Sequence, residues 1–481
     1  MNHLNRRTFL KTSAIASASV GLSAHSWGQV KGANEQIRVA VVGFNGRGKS
    51  HISGLLQVKD ARIVALCDVD EKVLARETAG LKTKDVNVKT YRDVRKLLES
   101  GEIDAISTAT PNHWHSLITL WACQAGKDVY VEKPISHNVW EGRKVVEAAR
   151  KYKRIVQSGT QSRSIPALQE AVAWVHAGNL GKVKLARGLC YKRRASIGKV
   201  SGPQPIPAGI DYDMWIGPAD MEPLMRQRLH YDWHWVFNTG NGDLGNQGIH
   251  QMDIARWFLG EQALSPRVFS VGGRLGYVDD GNTPNTQFIH HDYGHASLIF
   301  EVRGLPSAAG GNKMDNILGA SVGVVIYCEN GKVVMGKGSG IEALDHDDKV
   351  IKKFIGAGKN HHENFVKAIR SRKSSDLTAD ILEGHISSAL CHTGNISHRL
   401  GRPASTGEIR EKISGNKDLA DAYGRMTEHL AANQVDLSGK PLILGEALVM
   451  NPKTERFTNN EKANALLTRA YRPGYMITEK I

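Results

Sequence analysis

Glycines and an acidic residue lie at a spacing that is typical of dinucleotide binding. Gly43, Gly46 and Gly48 follow the apolar, β-branched run 37–42, and Asp68 follows the next such run, about 20 residues further on. Glycines at a strand-to-helix turn let the backbone approach a pyrophosphate, which the free N–H groups of the helix bind. Asp68 can accept hydrogen bonds from both ribose hydroxyls and would repel a 2′-phosphate. The pattern therefore predicts NAD as cofactor and makes NADP less favourable.

The glycine motif differs from the usual G-x-G-x-x-G pattern at its middle position, where Asn45 replaces glycine and Gly46 follows. Asparagine tolerates left-handed backbone better than most residues, so we expect the turn to form with less room for the pyrophosphate. Asp70 competes with Asp68 for the ribose, although it could equally cap a helix that begins at Glu71. The candidate cofactor-binding residues of this region are Gly43, Asn45, Gly46, Arg47, Gly48 and Asp68.

The elements that must position these residues alternate between strand and helix through residues 35–160. Further strands are predicted at 104–109 and 128–131, with a helical stretch over 116–125 between them. This alternation predicts an α/β fold with a doubly wound parallel sheet, a Rossmann domain. The loops after these strands would then face the cofactor crevice, because ligands bind at the carboxyl ends of parallel strands.

The order and rough spacing of four motifs resemble the Gfo/Idh/MocA family, named for glucose–fructose oxidoreductase, inositol dehydrogenase and a rhizopine-catabolism protein. The motifs are the glycine turn, Thr110-Pro111-Asn112, Glu132-Lys133-Pro134 and Gly248-Ile249-His250-Gln251-Met252-Asp253. The resemblance implies an NAD-dependent oxidoreductase that acts on a sugar, polyol or glycoside hydroxyl. It also implies a C-terminal α+β domain over 161–440 with an open, mainly antiparallel sheet, and a homo-oligomer. Residues 441–481 are expected to form an extension that packs on the body.

The resemblance assigns roles to individual residues. Lys133 is implied as the catalytic lysine and His250 as the active-site histidine, and Pro134 is expected to follow a cis bond. Asp253 would either orient His250 or lie on the helix surface. Implied cofactor contacts are Thr110, Asn112, His115, Glu132, Lys133 and Gln161; implied substrate contacts are Lys133, Arg163, Tyr191, Lys192, Asn246, His250 and Asp253.

One departure from the family pattern leaves the reaction open. Asn246 stands four residues before His250, where dehydrogenases of the family often carry an aspartate. Asparagine cannot accept a proton, so a lysine–aspartate–histidine relay cannot simply be carried over. The alternative is a redox-neutral hydrolysis or elimination, as in the NAD-dependent α-N-acetylgalactosaminidases. A second alternative is a non-catalytic protein that binds sugar and dinucleotide.

A polar, aromatic insertion spans residues 196–244 and contains Tyr231-Asp232-Trp233-His234-Trp235. Aromatic faces together with polar side chains suit a pyranose or polyol. Trp233 and Trp235 are therefore predicted to contact the sugar, the alternative being that they pin the insertion into a minor core.

The first 30 residues resemble a twin-arginine (Tat) export signal. Arg6 and Arg7 precede Phe-Leu-Lys and a mild apolar run over 14–24, which is too short to span a bilayer; Asn5 departs from the usual Ser or Thr. The sequence thus predicts export of a folded protein to the periplasm by the Tat machinery, without stable membrane insertion. Because the periplasm is expected to offer no NAD(H) pool, the cofactor would be tightly bound and recycled in place.

Charge and cysteine usage exclude other classes. The net charge of +15 could attract nucleic acid, but no basic run or recognition motif accompanies it, so a solvated basic surface is the better interpretation. The five cysteines are widely spaced without a C-x-x-C motif, which argues against a disulfide framework and a zinc site. We expect no metal and no nucleic-acid partner.

Overall fold

The computed structural model describes residues 36–337 and 340–481. The export signal that the sequence predicts over residues 1–30 lies outside the described residues. Two sheets organise the described chain, one parallel and one mostly antiparallel, and residues from both parts line a common cleft.

The first sheet has six parallel strands in the order β3-β2-β1-β4-β5-β6, which is the order of a doubly wound nucleotide-binding fold. Its central strands are short apolar runs that are buried on both faces, as parallel strands between two helix layers require. The predicted Rossmann sheet is confirmed. Its strands are β1 Ile37–Val42, β2 Ala61–Cys67, β3 Lys89–Tyr91, β4 Ala105–Thr108, β5 Asp128–Val131 and β6 Val156–Ser158.

Three of the five helices of the first part begin at polar capping residues. Asp70, Asp93 and Asn138 each accept a hydrogen bond from a free N–H group in the first turn of the helix that follows, which satisfies donors that the helix itself leaves unpaired. The helices are α1 Gly48–Leu56, α2 Glu71–Lys82, α3 Val94–Glu99, α4 Asn112–Gln124 and α5 Val139–Lys151.

The second sheet is mixed. All its strand pairs are antiparallel except β7 with β10, and its main path runs β14-β13-β12-β11-β7-β10-β9-β8-β16-β15. Its strands are β7 Val183–Tyr191, β8 Arg267–Gly273, β9 Thr286–Asp292, β10 Ser297–Arg303, β11 Val322–Cys328, β12 Gly331–Lys337, β13 Gly340–Leu344, β14 Val350–Phe354, β15 Arg402–Ala404, β16 Leu442–Leu444, β17 Leu448–Asn451 and β18 Arg456–Phe457. The helices of this part are α6 Pro166–His176, α7 Tyr212–Ile216, α8 Gly242–Asn246, α9 Gly248–Leu259, α10 His361–Ser371, α11 Ile381–Arg399, α12 Thr406–Ile413, α13 Lys417–Ala432 and α14 Glu461–Ala465.

Strand β7 shows how the second sheet is buried on both faces. Ala186 and Cys190 join the main core with residues of α9 and α11. Leu185 points the other way and packs with Ile409 of α12 and Leu430 of α13. Because side chains alternate along a strand, neighbouring residues of β7 meet different layers. The cleft lies on the α9 side of the sheet, so only those residues of β7 whose side chains point to that side can line it.

The C-terminal segment packs against both parts of the molecule. Strands β16 and β17 pair with β8 of the second sheet. Further along, Tyr475 and Ile477 join the apolar core that surrounds the parallel sheet.

All five cysteines are buried and free. Among the helices of residues 36–337 and 340–481, none is long and apolar enough to cross a bilayer. In the same ranges no group of three or more His, Cys, Asp or Glu side chains could hold a metal ion.

Candidate active site

A cleft of about 570 Å³ lies at the carboxyl ends of the parallel strands and is lined by residues of both parts. The glycine loop, Asp68 and Thr110 line it from the first part, and Asn246 and His250 line it from the second. This is the place where open α/β sheets bind their ligands.

The glycine loop is shaped by close approaches of the backbone. Gly43 has φ +72°, and a Cβ atom there would lie 2.7 Å from a methyl group of Thr110. A Cβ atom on Gly48 would lie 2.1 Å from the Gly43 carbonyl oxygen, so neither position tolerates a side chain. A Cβ atom on Gly46 would meet no described atom within 4 Å, because Gly46 faces the open cleft. Asn45 does not adopt positive φ, so its tolerance of left-handed backbone is not what forms this turn.

Asp68 joins the end of β2 to the glycine loop. Its carboxylate accepts hydrogen bonds from the N–H groups of Phe44 and Asp70, both at 3.0 Å. Burial raises the pKa of Asp68, and these two hydrogen bonds oppose the rise. Asp70 instead caps α2 and pairs with His230 at 2.9 Å, so the cap interpretation of Asp70 is the one that the structure supports.

Glu132 is a buried anion at the centre of the cleft wall. It accepts hydrogen bonds at 3.0 Å from Arg47 of the glycine loop and from His51 of α1. Burial alone would raise the pKa of Glu132, but the His51 hydrogen bond and the charges of Lys133 and Arg47 hold it well below its usual range. The carboxylate therefore stays ionised and ties the loop after β5 to the loop after β1.

Lys133 follows Glu132, and its bond to Pro134 is cis, as expected. Its ammonium group donates a hydrogen bond of 2.7 Å to the main-chain carbonyl oxygen of Asn246. Burial lowers the pKa of Lys133, while the charge of Glu132 opposes that shift. The contact with Asn246 thus uses the backbone and not the side-chain amide.

Two buried polar atoms of the cleft find no hydrogen-bond partner among the described residues: His250 Nδ1 and Gln161 Oε1. An unpaired buried polar atom is costly, so both atoms fit a site that a polar ligand completes. Burial and the charge of Lys133 lower the pKa of His250 to about 3, so this imidazole is neutral near pH 7.

The cleft also fits the adenosine half of a dinucleotide. The Asp68 N–H group donates to the Tyr91 carbonyl oxygen, which brings the loop 92–95 beside Asp68. The apolar lining in this region comes from Val94, Ile118, Trp215 and Tyr475. An open glycine loop, an acidic residue and an apolar recess together suit NAD.

The loop after β4 contributes polar side chains and is held in place by a histidine. The Asn112 side-chain amide donates to the Asn241 side chain at 3.0 Å. The His115 ring lies between the carbonyl oxygens of Pro134, at 2.6 Å, and Thr110, at 2.8 Å. Burial lowers the pKa of His115, and the ring contacts two cleft loops.

Two family models match the chain. The model described as an oxidoreductase family, NAD-binding Rossmann fold, matches residues 37–160. The model described as an oxidoreductase family, C-terminal alpha/beta domain, matches residues 175–423, which is more than half of the chain. The chain belongs to the Gfo/Idh/MocA oxidoreductase family. This membership confirms the resemblance of the sequence motifs and makes the first part an NAD-binding domain.

Curated members of the Gfo/Idh/MocA family match part of the chain. Inositol 2-dehydrogenase of Rubrobacter xylanophilus is 29% identical over 238 residues, which are 48% of this chain and 55% of that protein. A glycosyl hydrolase family 109 protein of Saccharopolyspora erythraea is 30% identical over 210 residues, which are 39% of this chain and 46% of that protein. The chain spans about half the length of these relatives.

Solved structures share the fold. WlbA dehydrogenase of Bordetella pertussis, in complex with NADH and UDP-GlcNAcA, superposes with a TM-score of 0.55 at 19% identity over 74% of this chain and 94% of that one. Levoglucosan dehydrogenase, in complex with NADH, gives a TM-score of 0.56 at 16% identity over 75% and 96%. At these identities the two superpositions show a common fold.

The prediction that both Tyr191 and Lys192 approach the substrate is wrong for Tyr191. Tyr191 points to the α13 side of the sheet, where its hydroxyl donates to Glu301 at 2.6 Å. Lys192 has the opposite parity, and its ammonium group donates to the side chain of Gln247, which lines the cleft, at 2.8 Å. Adjacent residues of a strand cannot face the same side.

The predictions for Arg163 and Asp253 also need correction. The two side chains form a buried bidentate ion pair at 2.8 and 2.9 Å, and Ser387 donates to Asp253 at 2.7 Å. Neither residue lines the cleft. Asp253 neither orients His250 nor lies on the helix surface; it fastens α9 to the turn after β6.

Of the two tryptophans predicted to contact sugar, only Trp233 lines the cleft. Trp235 is buried behind it, with the Arg194 guanidinium 5.3 Å from its ring centre, so its predicted substrate contact is wrong. Sequence reasoning missed several residues that do line this Gfo/Idh/MocA cleft, among them His230, His234 and Tyr475. Only the aromatic pattern around His234 gave a signal in the sequence.

Proposed function

We propose that this chain oxidises a hydroxyl group of a sugar, polyol or glycoside by hydride transfer to NAD held in the cleft. The observation that carries the proposal is Lys133, whose side chain shares one cleft with the glycine loop and with His250. Bound NAD supplies the hydride acceptor, its nicotinamide ring. The side chains of Lys133, Glu132 and His250 supply the proton transfer and the positioning.

In this proposal Lys133 takes the proton of the substrate hydroxyl. A lysine acts as a base only when it is neutral, and burial lowers the pKa of Lys133 in the required direction. Glu132 stays ionised beside it and orients the loop, while neutral His250 offers a hydrogen bond to the same hydroxyl. Asn112 and Gln161 line the same cleft, which supports the proposal that they contact the cofactor.

A redox-neutral reaction is the second candidate. The substrate would be oxidised, would lose a neighbouring group by hydrolysis or elimination, and would then be reduced again. The amide of Asn246 supports this candidate because it cannot accept the proton that an aspartate would take. Similarity to a glycosyl hydrolase family 109 protein supports it as well.

We also propose export by the twin-arginine route to the periplasm, as a homo-oligomer that carries its cofactor. Arg6 and Arg7 are the residues that support this route. Without an external NAD pool the cofactor must be re-oxidised in place, either by a second carbonyl substrate in a ping-pong cycle or by the redox-neutral cycle.

Contacts at the adenosine end support tight retention of the cofactor. Asp213 of α7 binds Arg472 and accepts a hydrogen bond of 3.0 Å from the Tyr475 hydroxyl. The Tyr475 ring packs edge-on against Trp114, with 5.5 Å between ring centres. We call these contacts of Asp213 with Arg472 and Tyr475 the C-terminal clasp. The clasp holds Tyr475, which lines the same cleft as Asp68.

The clasp is tested by the rate at which NAD leaves the protein. Asp213→Ala removes the carboxylate that contacts both Arg472 and Tyr475 and is expected to speed NAD release. The control, Glu222→Ala, changes an exposed carboxylate of the same insertion and is expected to leave the release rate unchanged. Equal release rates in both variants and the wild type would contradict a role of the clasp in retention.

The reaction is tested on NAD-loaded protein with a panel of myo-inositol, glucose and methyl glycosides. Net oxidation predicts a rise in the NADH absorbance band, and the redox-neutral reaction predicts release of methanol without lasting NADH. Neither signal with any compound, together with measurable sugar binding, would favour the non-catalytic binding protein instead.

A further inference from the structure

His234 lies in a short 3-10 turn, Asp232–Trp235, that the insertion contributes to the cleft wall. The positive charge of Lys133 lies close enough to affect the imidazole. The proposed reaction assigns no role to His234.

The hydrogen bonds of the ring fix its tautomer. Nδ1 lies 2.5 Å from the carbonyl oxygen of Tyr231. A carbonyl oxygen can only accept, so Nδ1 carries the hydrogen. A neutral imidazole has a single N–H group, which leaves Nε2 with a free lone pair.

The imidazole is neutral at physiological pH. Burial lowers the pKa of His234 to about 3, and the charges of Lys133 and Arg194 add to this effect. Nε2 is therefore a hydrogen-bond acceptor and not a proton donor.

The backbone that presents the ring is strained. Tyr231 has φ +68° and ψ −49°, and the Asp232 N–H group donates to the His230 carbonyl oxygen at 2.9 Å. These values describe a γ-turn of the rare positive-φ form, which costs free energy and is found where surrounding contacts enforce it. The strained residue is the one whose carbonyl oxygen fixes the His234 tautomer.

Neighbouring contacts hold both the turn and the ring. Thr239 donates to the Trp233 carbonyl oxygen at 2.9 Å. A Cβ atom on Gly240 would lie 2.5 Å from the carbonyl oxygens of Trp233 and His234. Only glycine therefore fits at position 240, where the backbone packs against the turn. The Trp233 ring stacks on the imidazole with 3.6 Å between ring centres. Nε2 is thus a fixed acceptor in the cleft wall.

We propose that His234 Nε2 accepts a hydrogen bond from a second hydroxyl of the substrate, one that is not oxidised, and thereby selects polyhydroxylated substrates. The inference rests on the proposed function, in which Lys133 contacts the hydroxyl that is oxidised. Lys133 and His234, which come from different parts of the chain, then each contact a different hydroxyl of the substrate. A simple alcohol would satisfy Lys133 alone and leave His234 without a partner.

Two variants separate the two ring nitrogens. His234→Asn keeps a donor near the Nδ1 position for the Tyr231 carbonyl oxygen and loses the acceptor in the cleft. His234→Gln places an amide oxygen near the Nε2 position. Both are compared with wild type on the panel sugar that is turned over fastest and on its monodeoxy derivatives, and NAD affinity is measured by tryptophan fluorescence.

We expect His234→Asn to lower kcat/KM for the parent sugar roughly 10- to 100-fold, with His234→Gln restoring part of the loss and NAD affinity unchanged in both. For one monodeoxy sugar, wild type and His234→Asn should have equal kcat/KM, because the hydroxyl that His234 contacts is already absent. Unchanged kinetics in His234→Asn, or an equal loss with every monodeoxy sugar, would overturn the inference.

If no sugar of the panel is turned over, the proposed function fails separately. The inference is then decided by ligand-observed NMR of the same sugars with NAD-loaded protein. Sugar binding that His234→Asn abolishes and His234→Gln retains supports the contact. Binding that is absent, or that is equal in all three proteins, overturns it.

Discussion

The Lys133 ammonium group and the main-chain carbonyl oxygen of Asn246 are joined by a hydrogen bond of 2.7 Å. This contact ties the loop after the fifth parallel strand to the helix before α9. It fixes the position of the proposed base through a neutral acceptor. Burial lowers the pKa of Lys133, and the charge of Glu132 opposes that shift.

Replacing this lysine should separate catalysis from cofactor binding. Lys133→Met is expected to lower kcat about 10²- to 10⁴-fold, the usual contribution of a positioned base, and to leave NAD binding measurable. Steady-state kinetics and an NAD titration check both parts. Full turnover in Lys133→Met would remove the lysine from the mechanism.

The same residue sets the pH dependence. Because the base must be neutral, kcat/KM should rise with pH through the pKa of Lys133, which burial places below its ordinary value of 10.5. His250, with a pKa of about 3, should add no transition between pH 5 and 8. The rising limb should be absent from the residual activity of Lys133→Met, and a limb that persists there would assign it to another group.

Cofactor choice is predicted to depend on the charge of Asp68. Asp68→Asn keeps an oxygen that can accept from the Phe44 N–H group and removes the charge that repels a 2′-phosphate. We expect the preference for NAD over NADP to fall roughly 10-fold, about 1.4 kcal/mol, as measured by titrating cofactor-depleted protein. Asp70→Asn is the matched control because asparagine caps a helix equally well; a shift in that variant alone would move the role to Asp70.

Tyr191, the last residue of β7, and Lys192, which follows it, should have different effects when they are replaced. Lys192→Met frees the Gln247 side chain and is expected to raise KM while stability changes little. Tyr191→Phe leaves buried Glu301 with one hydrogen bond fewer and should lower the free energy of unfolding by about 1–3 kcal/mol with KM unchanged. Kinetics and urea unfolding of both variants test the assignment, and the reverse pattern would refute it.

The buried ion pair of Arg163 and Asp253 is predicted to serve stability. Asp253→Asn removes the charge of the bidentate partner of buried Arg163, which keeps Glu383 at 3.0 Å as its remaining carboxylate, and should cost about 1–3 kcal/mol. Asp292→Asn in the exposed pair with Arg267 should cost about 0–1 kcal/mol. Burial would raise the pKa of Asp253, but Arg163 holds it below its ordinary value of 3.8. The stabilisation is thus present above that value and lost as pH falls through the lower folded-state pKa. Equal unfolding free energies of the two variants would contradict this assignment.

The sequence predicted the parallel sheet well because its signals are local. Buried β-branched runs such as 37–42 and the Asp70 cap each reflect the conformation of a few neighbouring residues. The alternation of side chains at the end of β7 also indicates that the neighbours Tyr191 and Lys192 cannot both face the cleft. Periodicity alone, however, does not say which of the two residues faces it.

The remaining parts of the site depend on long-range contacts. Tyr475 reaches the cleft only because the chain returns from the second sheet to the first, and Arg163 meets Asp253 only after α9 has packed. His234 stands in an irregular insertion whose strained turn at Tyr231 has no periodic signal. Such contacts depend on tertiary packing, which spacing in one sequence does not encode.

The proposed function requires that hydride passes from a sugar carbon to NAD in the cleft. The most direct measurement is a single turnover of NAD-loaded protein with carbon-deuterated myo-inositol or glucose, followed by denaturation and mass analysis of the released dinucleotide. Hydride transfer predicts deuterium in the nicotinamide ring with wild type and far less with Lys133→Met. NAD that is released without deuterium from every sugar of the panel would contradict it.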